Sequence, residues 1–265
     1  MTQTVYQGED YRRYFDINAF YDHYYEKPGE DEGGFVLDKL HEFYTKTAHF
    51  APDSALILEF GGGPSVSHLV SAAPFASSIV LADYMSAALR VVDEWKKAPS
   101  LAAAQLDWTP SFRYILRTLE GNQDDDVLER RADLVKVKLS SLVLCDALDD
   151  RPLGNDDYDN YFDVVCTSFC LEVACPTYAQ FKLAVKKLAK FLKGSGSWLV
   201  LSCALGESSY PVGDKRFFTL RLTEDDVKQA VIEAGFRLVE FDSTSVRYPD
   251  ENRATGACHA VGQLK

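Results

Sequence analysis

Ala55-Leu56-Ile57-Leu58-Glu59-Phe60-Gly61-Gly62-Gly63-Pro64 is the stretch on which the reading of the fold turns. An apolar run bounded by a glycine–proline cluster predicts a buried strand over 55–60. The glycines let the chain turn sharply and let a ligand come close to the backbone. A helix is predicted over 65–72. Strand, glycine turn and helix together make a nucleotide-type site. The dinucleotide pattern is missing, because Val66 stands where its third glycine belongs. No Gly-Lys-Ser/Thr follows, so the turn is not a P-loop either. Glu59, just ahead of Gly61, predicts a ligand with a positive methionine end rather than a pyrophosphate.

Working outward, further apolar runs predict strands over 78–83, 142–146, 162–168, 197–202, 236–241 and 256–262. Helical patterns lie between them. Helices are predicted over 17–25 and 35–43, from 84 through Trp95, over most of 98–135, and over 178–191. Thr223 and Asp226 form a capping pattern for another, which Gly235 ends. Alternating strands and helices predict an α/β domain with a mostly parallel seven-stranded sheet, helices on both faces and an N-terminal helical cap. One domain over 1–265 is expected, with 1–50 as a helical lid and 51–265 as a Rossmann-like core. Asp83 ends the second strand, where a carboxylate can accept both ribose hydroxyls. Asp146 ends the third, on the same edge, within reach of a nucleobase.

The chain carries 40 Asp and Glu against 28 Lys and Arg, a net charge of −12. Without a basic stripe it is a poor match for a phosphate backbone, so no nucleic-acid partner is expected. The six cysteines show no zinc spacing and no C-x-x-C; they predict buried free thiols and no metal site. No signal peptide and no membrane span is legible. A cytoplasmic monomer acting on a small molecule is the expectation.

Longer blocks carry a resemblance. They are Leu58-Glu59-Phe60-Gly61-Gly62-Gly63-Pro64-Ser65, Ala82-Asp83-Tyr84, Asp107-Trp108, Leu119-Glu120-Gly121-Asn122, Cys145-Asp146 and Pro152-Leu153-Gly154. The most specific are Ser168-Phe169-Cys170-Leu171-Glu172-Val173-Ala174-Cys175-Pro176 and Ala204-Leu205-Gly206-Glu207-Ser208-Ser209-Tyr210. Over about residues 11 to 263 the chain resembles the nicotinamide, phenylethanolamine and indolethylamine N-methyltransferase family. The resemblance implies the class I methyltransferase fold and S-adenosyl-L-methionine as cofactor. It implies cofactor contacts at Tyr11, Tyr25, Gly61, Gly62, Gly63, Asp83, Tyr84, Asp146, Ala147 and Ser168. On the acceptor side it implies Tyr24, Phe169, Cys203 and Thr219, with Glu172 and Glu207 as the catalytic pair. Two carboxylates suit an amine, because they can bind an ammonium and then accept its proton.

Several positions depart from the family pattern. Phe20 and Ser67 replace tyrosines, and Ala88 replaces an asparagine, all at cofactor-contacting positions. Tyr21 or Tyr14 is the candidate replacement for the hydroxyl missing at Phe20. Cys203 stands for an aspartate and Thr219 for a serine of the nicotinamide enzyme, which argues against nicotinamide. Val36 and Arg253 argue against a catechol. His23 and His259 are further pocket candidates. Three functions follow: N-methylation of a small alkylamine, N-methylation of a pyridine-type ring, or cofactor binding without catalysis.

Overall fold

The computed structural model describes residues 4–29, 32–245 and 254–265. Its elements run in the order β1 (Val5–Tyr6), α1 (Asp10–Tyr14), α2 (Ile17–Tyr24), α3 (Glu32–Glu42), β2 (Ala55–Phe60), α4 (Leu69–Ala72), β3 (Ala76–Asp83) and α5 (Ser86–Lys97). Then come α6 (Thr109–Arg113), α7 (Val127–Lys138), β4 (Leu139–Leu144), β5 (Val164–Ser168), α8 (Leu171–Ala174), α9 (Tyr178–Leu188) and β6 (Trp198–Leu205). The chain closes with β7 (Ser209–Val212), β8 (Lys215–Phe218), α10 (Glu224–Glu233), β9 (Phe236–Ser245) and β10 (Gly256–Leu264).

Seven strands form one sheet in the order β4-β3-β2-β5-β6-β10-β9. Six share one direction; β10 alone is reversed, antiparallel to both of its neighbours, β6 and β9. This is the expected class I arrangement. Both faces are buried, which is why the strands read as continuous apolar runs. Successive side chains go to opposite cores. Ile57, Ile79, Leu81, Val164 and Val200 join α3, α5, α6 and α7 on one face, where Trp95, Trp108 and Phe112 pack. Leu58, Val80, Val165, Leu199 and Leu201 join α8, α9 and α10 on the other, around Phe181, Phe191 and Phe236. Each large side chain so buried contributes roughly 1.5–3 kcal/mol. The predicted capping box of α10 is present in both directions: the Asp226 N–H donates to Thr223 Oγ1 and the Thr223 N–H to Asp226 Oδ2.

The expectation for 65–72 shortens. Only Leu69–Ala72 is regular helix, and residues 64–68 stay in turns under the glycine loop. The third strand begins earlier than predicted and ends at Leu144, so Asp146 lies in the loop beyond it. A three-stranded sheet, β1-β8-β7, was not foreseen. Its hairpin turns at Gly213-Asp214, with Gly213 in the left-handed region (φ 59°), a Gly-Asp pair that suits a tight hairpin. Val5 and Tyr6 pair in parallel with Arg216 and Phe217, fastening the N-terminal segment to this hairpin.

Phe217 is the centre of that fastening. It is fully buried, with the rings of Tyr6, Tyr11, Phe15 and Tyr210 around it at 4.8–6.0 Å between centroids. Phe217→Ala removes packing worth about 3–5 kcal/mol in a well-filled core. The loss falls on the docking of residues 4–24 and not on the seven-stranded sheet. Limited proteolysis is expected to cut that segment faster in the variant, while the main thermal transition shifts little. Equal cleavage rates would show that the segment is held by other contacts.

Candidate active site

Strand order places the site. From β2 the chain steps outward through β3 to β4, then returns to β5 on the other side of β2 and proceeds to β6. The chain therefore leaves the adjacent carboxyl ends of β2 and β5 in opposite directions, and the diverging connections flank a crevice of the kind where ligands bind in open α/β sheets. After β2 the backbone enters the glycine turn with Gly61 at φ 73° and Gly63 at φ 61°. A Cβ on Gly61 would lie 2.0 Å from Cys170 Sγ, so no larger residue fits between the two strand ends. After β5, Phe169 has φ 52°, a conformation costly for a bulky L residue and held here by its surroundings. Its N–H donates to the Ser202 carbonyl at 2.9 Å.

Two adjoining cavities open at this edge. The first, about 1020 Å³, runs from the glycine turn across Asp83 to Asp146. All ten residues expected to touch a cofactor line it: Tyr11, Tyr25, Gly61, Gly62, Gly63, Asp83, Tyr84, Asp146, Ala147 and Ser168. The Gly63 N–H donates to Asp83 Oδ2 and the Met85 N–H to Asp83 Oδ1, both at 2.8 Å. Burial pushes the Asp83 carboxyl up to about 6, against those two bonds. Asp146 Oδ1 accepts from the Leu148 N–H at 2.9 Å. The Ser168 hydroxyl is buried with no hydrogen-bond partner among the described residues. Tyr11 and Tyr210 share a hydrogen bond between their hydroxyls at 2.7 Å, and burial raises both.

The second cavity, about 840 Å³, is walled by Phe20, Tyr24, Tyr25, Phe169 and Tyr210, with Glu172, Glu207 and Thr219 among its polar lining. Glu172 has no exposed surface. Its Oε1 accepts from the Ala204 N–H at 2.8 Å, while Oε2 is buried without a partner among the described residues. Burial pushes this carboxyl up to about 7, against the bonds it accepts. The Thr219 hydroxyl is also buried and unpartnered among the described residues. Phe20, Tyr25, His68, Phe169, Val173 and Tyr210 line both cavities and mark where they meet.

Other expected residues lie elsewhere. Cys203 lines neither cavity; it is fully buried on β6, its thiol against Glu172 and Cys258, because the strand's alternation turns Ala204 and not Cys203 to the cavity. Tyr14 packs against Tyr6 with the rings tilted, and the Tyr21 hydroxyl donates to the Asp107 carbonyl, so neither replaces the hydroxyl missing at Phe20. Ala88 and Val36 are buried in their helices, away from both cavities. His23 is exposed beside Tyr24, and His259 is buried against Ser202. Arg253 lies outside the described residues. Glu59 does not face the ligand space: it is buried beneath the turn, with Oε1 2.9 Å from His68 Nδ1. Sequence reasoning missed His68 and Tyr210 as lining residues. A signal existed for the first, since a strand-end glutamate with both neighbours in the core needs a donor close by.

The profile describing the NNMT/PNMT/TEMT family matches residues 3–259. The human (Homo sapiens) nicotinamide N-methyltransferase is 31% identical over 194 residues, 73% of this chain and 70% of its own. The rabbit (Oryctolagus cuniculus) indolethylamine N-methyltransferase is 27% identical over 268 residues, 97% of this chain and 96% of its own. Among solved structures, the N-methyltransferase NodS from Bradyrhizobium japonicum, in complex with S-adenosyl-L-homocysteine, superposes with a TM-score of 0.53 at 14% identity, over 91% of this chain and 89% of that one. That likeness shows the fold. Glycine turn, strand-end aspartate, two adjoining cavities and a profile match across nearly the whole length agree: the chain belongs to the NNMT/PNMT/TEMT family of S-adenosylmethionine-dependent N-methyltransferases.

Proposed function

We propose that the chain methylates the nitrogen of a small alkylamine, held as its ammonium by Glu172 and Glu207 in the aromatic-walled cavity. The observation that carries this reading is the Glu172 carboxyl. One oxygen is fixed by the Ala204 N–H; the other is buried and unpartnered among the described residues, in a cavity whose lining includes no Lys or Arg. A buried carboxylate without a cation is strongly disfavoured, and an incoming ammonium supplies what is missing.

The neighbouring cavity suits S-adenosylmethionine. Asp83 keeps lone pairs beyond those used by Gly63 and Met85, so it can accept ribose hydroxyls. The orphaned Ser168 hydroxyl and the open space at the glycine turn fit a polar ligand lying close to the backbone. Bound there, the cofactor supplies an electrophilic methyl group on a positively charged sulfur. The chain's own residues align the acceptor, exclude water and take up a proton. Phe169 and Tyr25 border both cavities and form the aromatic frame around the meeting point. The N-terminal segment, fastened through β1 and the Tyr11–Tyr210 hydroxyl pair, acts as the lid. Glu172, pushed up to about 7, is matched to accept the ammonium proton near neutral pH.

Assays with labelled cofactor test the reading against alkylamines, indolethylamines, nicotinamide and quinoline. Glu172→Gln is expected to lower kcat/KM for an alkylamine by about 100-fold or more. In the wild type, kcat/KM for an amine that stays protonated throughout should rise as Glu172 ionises through about pH 7, and Glu172→Gln should remove that limb. Because the folded-state value lies above the ordinary glutamate value, the ligand-free fold loses stability as pH rises from about 4.5 to about 7. Glu172→Gln should therefore melt higher than wild type at pH 8 and show no such gain at pH 5. Nicotinamide turnover that survives Glu207→Gln would favour ring methylation. Cofactor binding with no turnover across the panel would sink catalysis.

Asp83 gives a separate test. Ribose hydroxyls favour its ionised form, whereas burial favours the protonated one. Cofactor affinity is expected to fall as pH drops below about 6, and Asp83→Asn should bind weakly with a flat profile. Titration calorimetry at several pH values reads both; a wild-type affinity independent of pH from 5 to 7.5 would remove Asp83 from the ribose contact.

A further inference from the structure

His68 stands where the two cavities meet, and it is the only Lys, Arg or His among the described residues lining either one. Its Nδ1 lies 2.9 Å from Glu59 Oε1, and both side chains are more than nine-tenths buried. An ionised carboxylate only accepts, so Nδ1 carries a proton and the ring is held in one orientation. Among the described residues the hydrogen bond made by the ring is the one at Nδ1, and Nε2 lies on its far side. Glu59 thus fixes the ring from beneath the turn and leaves Nε2 as the ring nitrogen on the opposite side.

The cofactor cavity needs such a group. Its acidic lining residues are Asp83 and Asp146, both toward the nucleoside end. The methionine end of S-adenosylmethionine bears an α-carboxylate, the cofactor's only anionic group. Placing the ribose at Asp83 and the base at Asp146 runs that end back toward the glycine turn and the junction of the cavities. The Phe20 ring at this junction has no hydroxyl to offer, and the Ser67 hydroxyl is engaged with Ser65 Oγ at 2.7 Å. We propose that His68, oriented by Glu59, donates from Nε2 to the methionine carboxylate of the cofactor, the imidazole being held doubly protonated between two carboxylates in the complex. This rests on the cofactor reading given above. Glu59 is then a positioning residue, acting through the imidazole from beneath the turn.

The test compares two nucleosides by titration calorimetry. S-Adenosylhomocysteine carries the carboxylate; 5′-methylthioadenosine has the same nucleoside and a thioether but no amino-acid end. His68→Gln keeps an amide donor for Glu59 and removes the cation. Glu59→Leu/His68→Leu replaces the buried pair by apolar groups and leaves no orphaned charge. Both variants are expected to bind S-adenosylhomocysteine about ten- to a hundredfold more weakly, the range of one charge-assisted hydrogen bond. Both should bind 5′-methylthioadenosine within about twofold of wild type. Equal weakening of the two nucleosides would mean that His68 only shapes the turn. No weakening of either would mean that Nε2 does not meet the ligand. Failure of the wild type to bind either nucleoside would overturn the cofactor reading and this assignment with it.

Discussion

The carboxyl ends of β2 and β5 approach each other so closely that a single Cβ on Gly61 would drive into Cys170 Sγ at 2.0 Å. Both cavities follow from that approach. It brings the glycine turn against the segment after β5, so the backbone of one and the side chains of the other share one wall. It also explains the left-handed conformations on both sides of the crevice. Gly61 adopts φ 73° without a steric penalty, whereas Phe169 adopts φ 52° at a cost the packing must cover. Strain of that kind persists where the fold over-determines it, and Phe169 borders both cavities.

Around that crevice the chain buries carboxylates, each stabilised differently. Glu59 is matched inside the protein by His68 and serves the architecture of the turn. Asp83 is half matched, by two backbone N–H groups, and its carboxyl sits raised near 6. Glu172 has the Ala204 N–H on Oε1 and the Cys203 thiol against it, Oε2 is unpartnered among the described residues, and the carboxyl sits raised near 7. A group left unsatisfied in the ligand-free fold gains most when a complementary ligand arrives, so stability is given up where binding is needed.

The sheet was legible because its signal is periodic and redundant. Every strand of the large sheet shows as an apolar run, and α9 as a stripe at helical spacing. The Asp83 position followed from where its run ends, whereas Asp146 lies in the loop just past β4, on the same edge of the parallel sheet. Three features were not legible, each for a physical reason. The β7–β8 hairpin carries its apolar side chains on a short two-stranded unit, too short to stand out beside the long helices; only Gly213-Asp214 marked it. The direction of Cys203 depends on the phase of β6, and a one-residue difference in strand alternation turns Ala204 to the cavity in its place. Glu59 was read as facing a ligand because acids on strand ends often do, but burial on both sides turned it toward His68 instead.

Phe20 and Ser67 show why reading residues one position at a time falls short here. Taken singly, each is a lost hydroxyl in the wall that faces the glycine turn. In the fold, Ser67 has turned its hydroxyl to Ser65, and the residue beside it, His68, borders both cavities. A buried histidine in that wall needs a partner for its ring nitrogen, and Glu59 beneath the turn supplies one. An acid at the end of β2 and a base in the short loop before α4 therefore form one unit. Neither would be tolerated alone at this burial, and changing either without the other leaves an orphaned polar group under the turn.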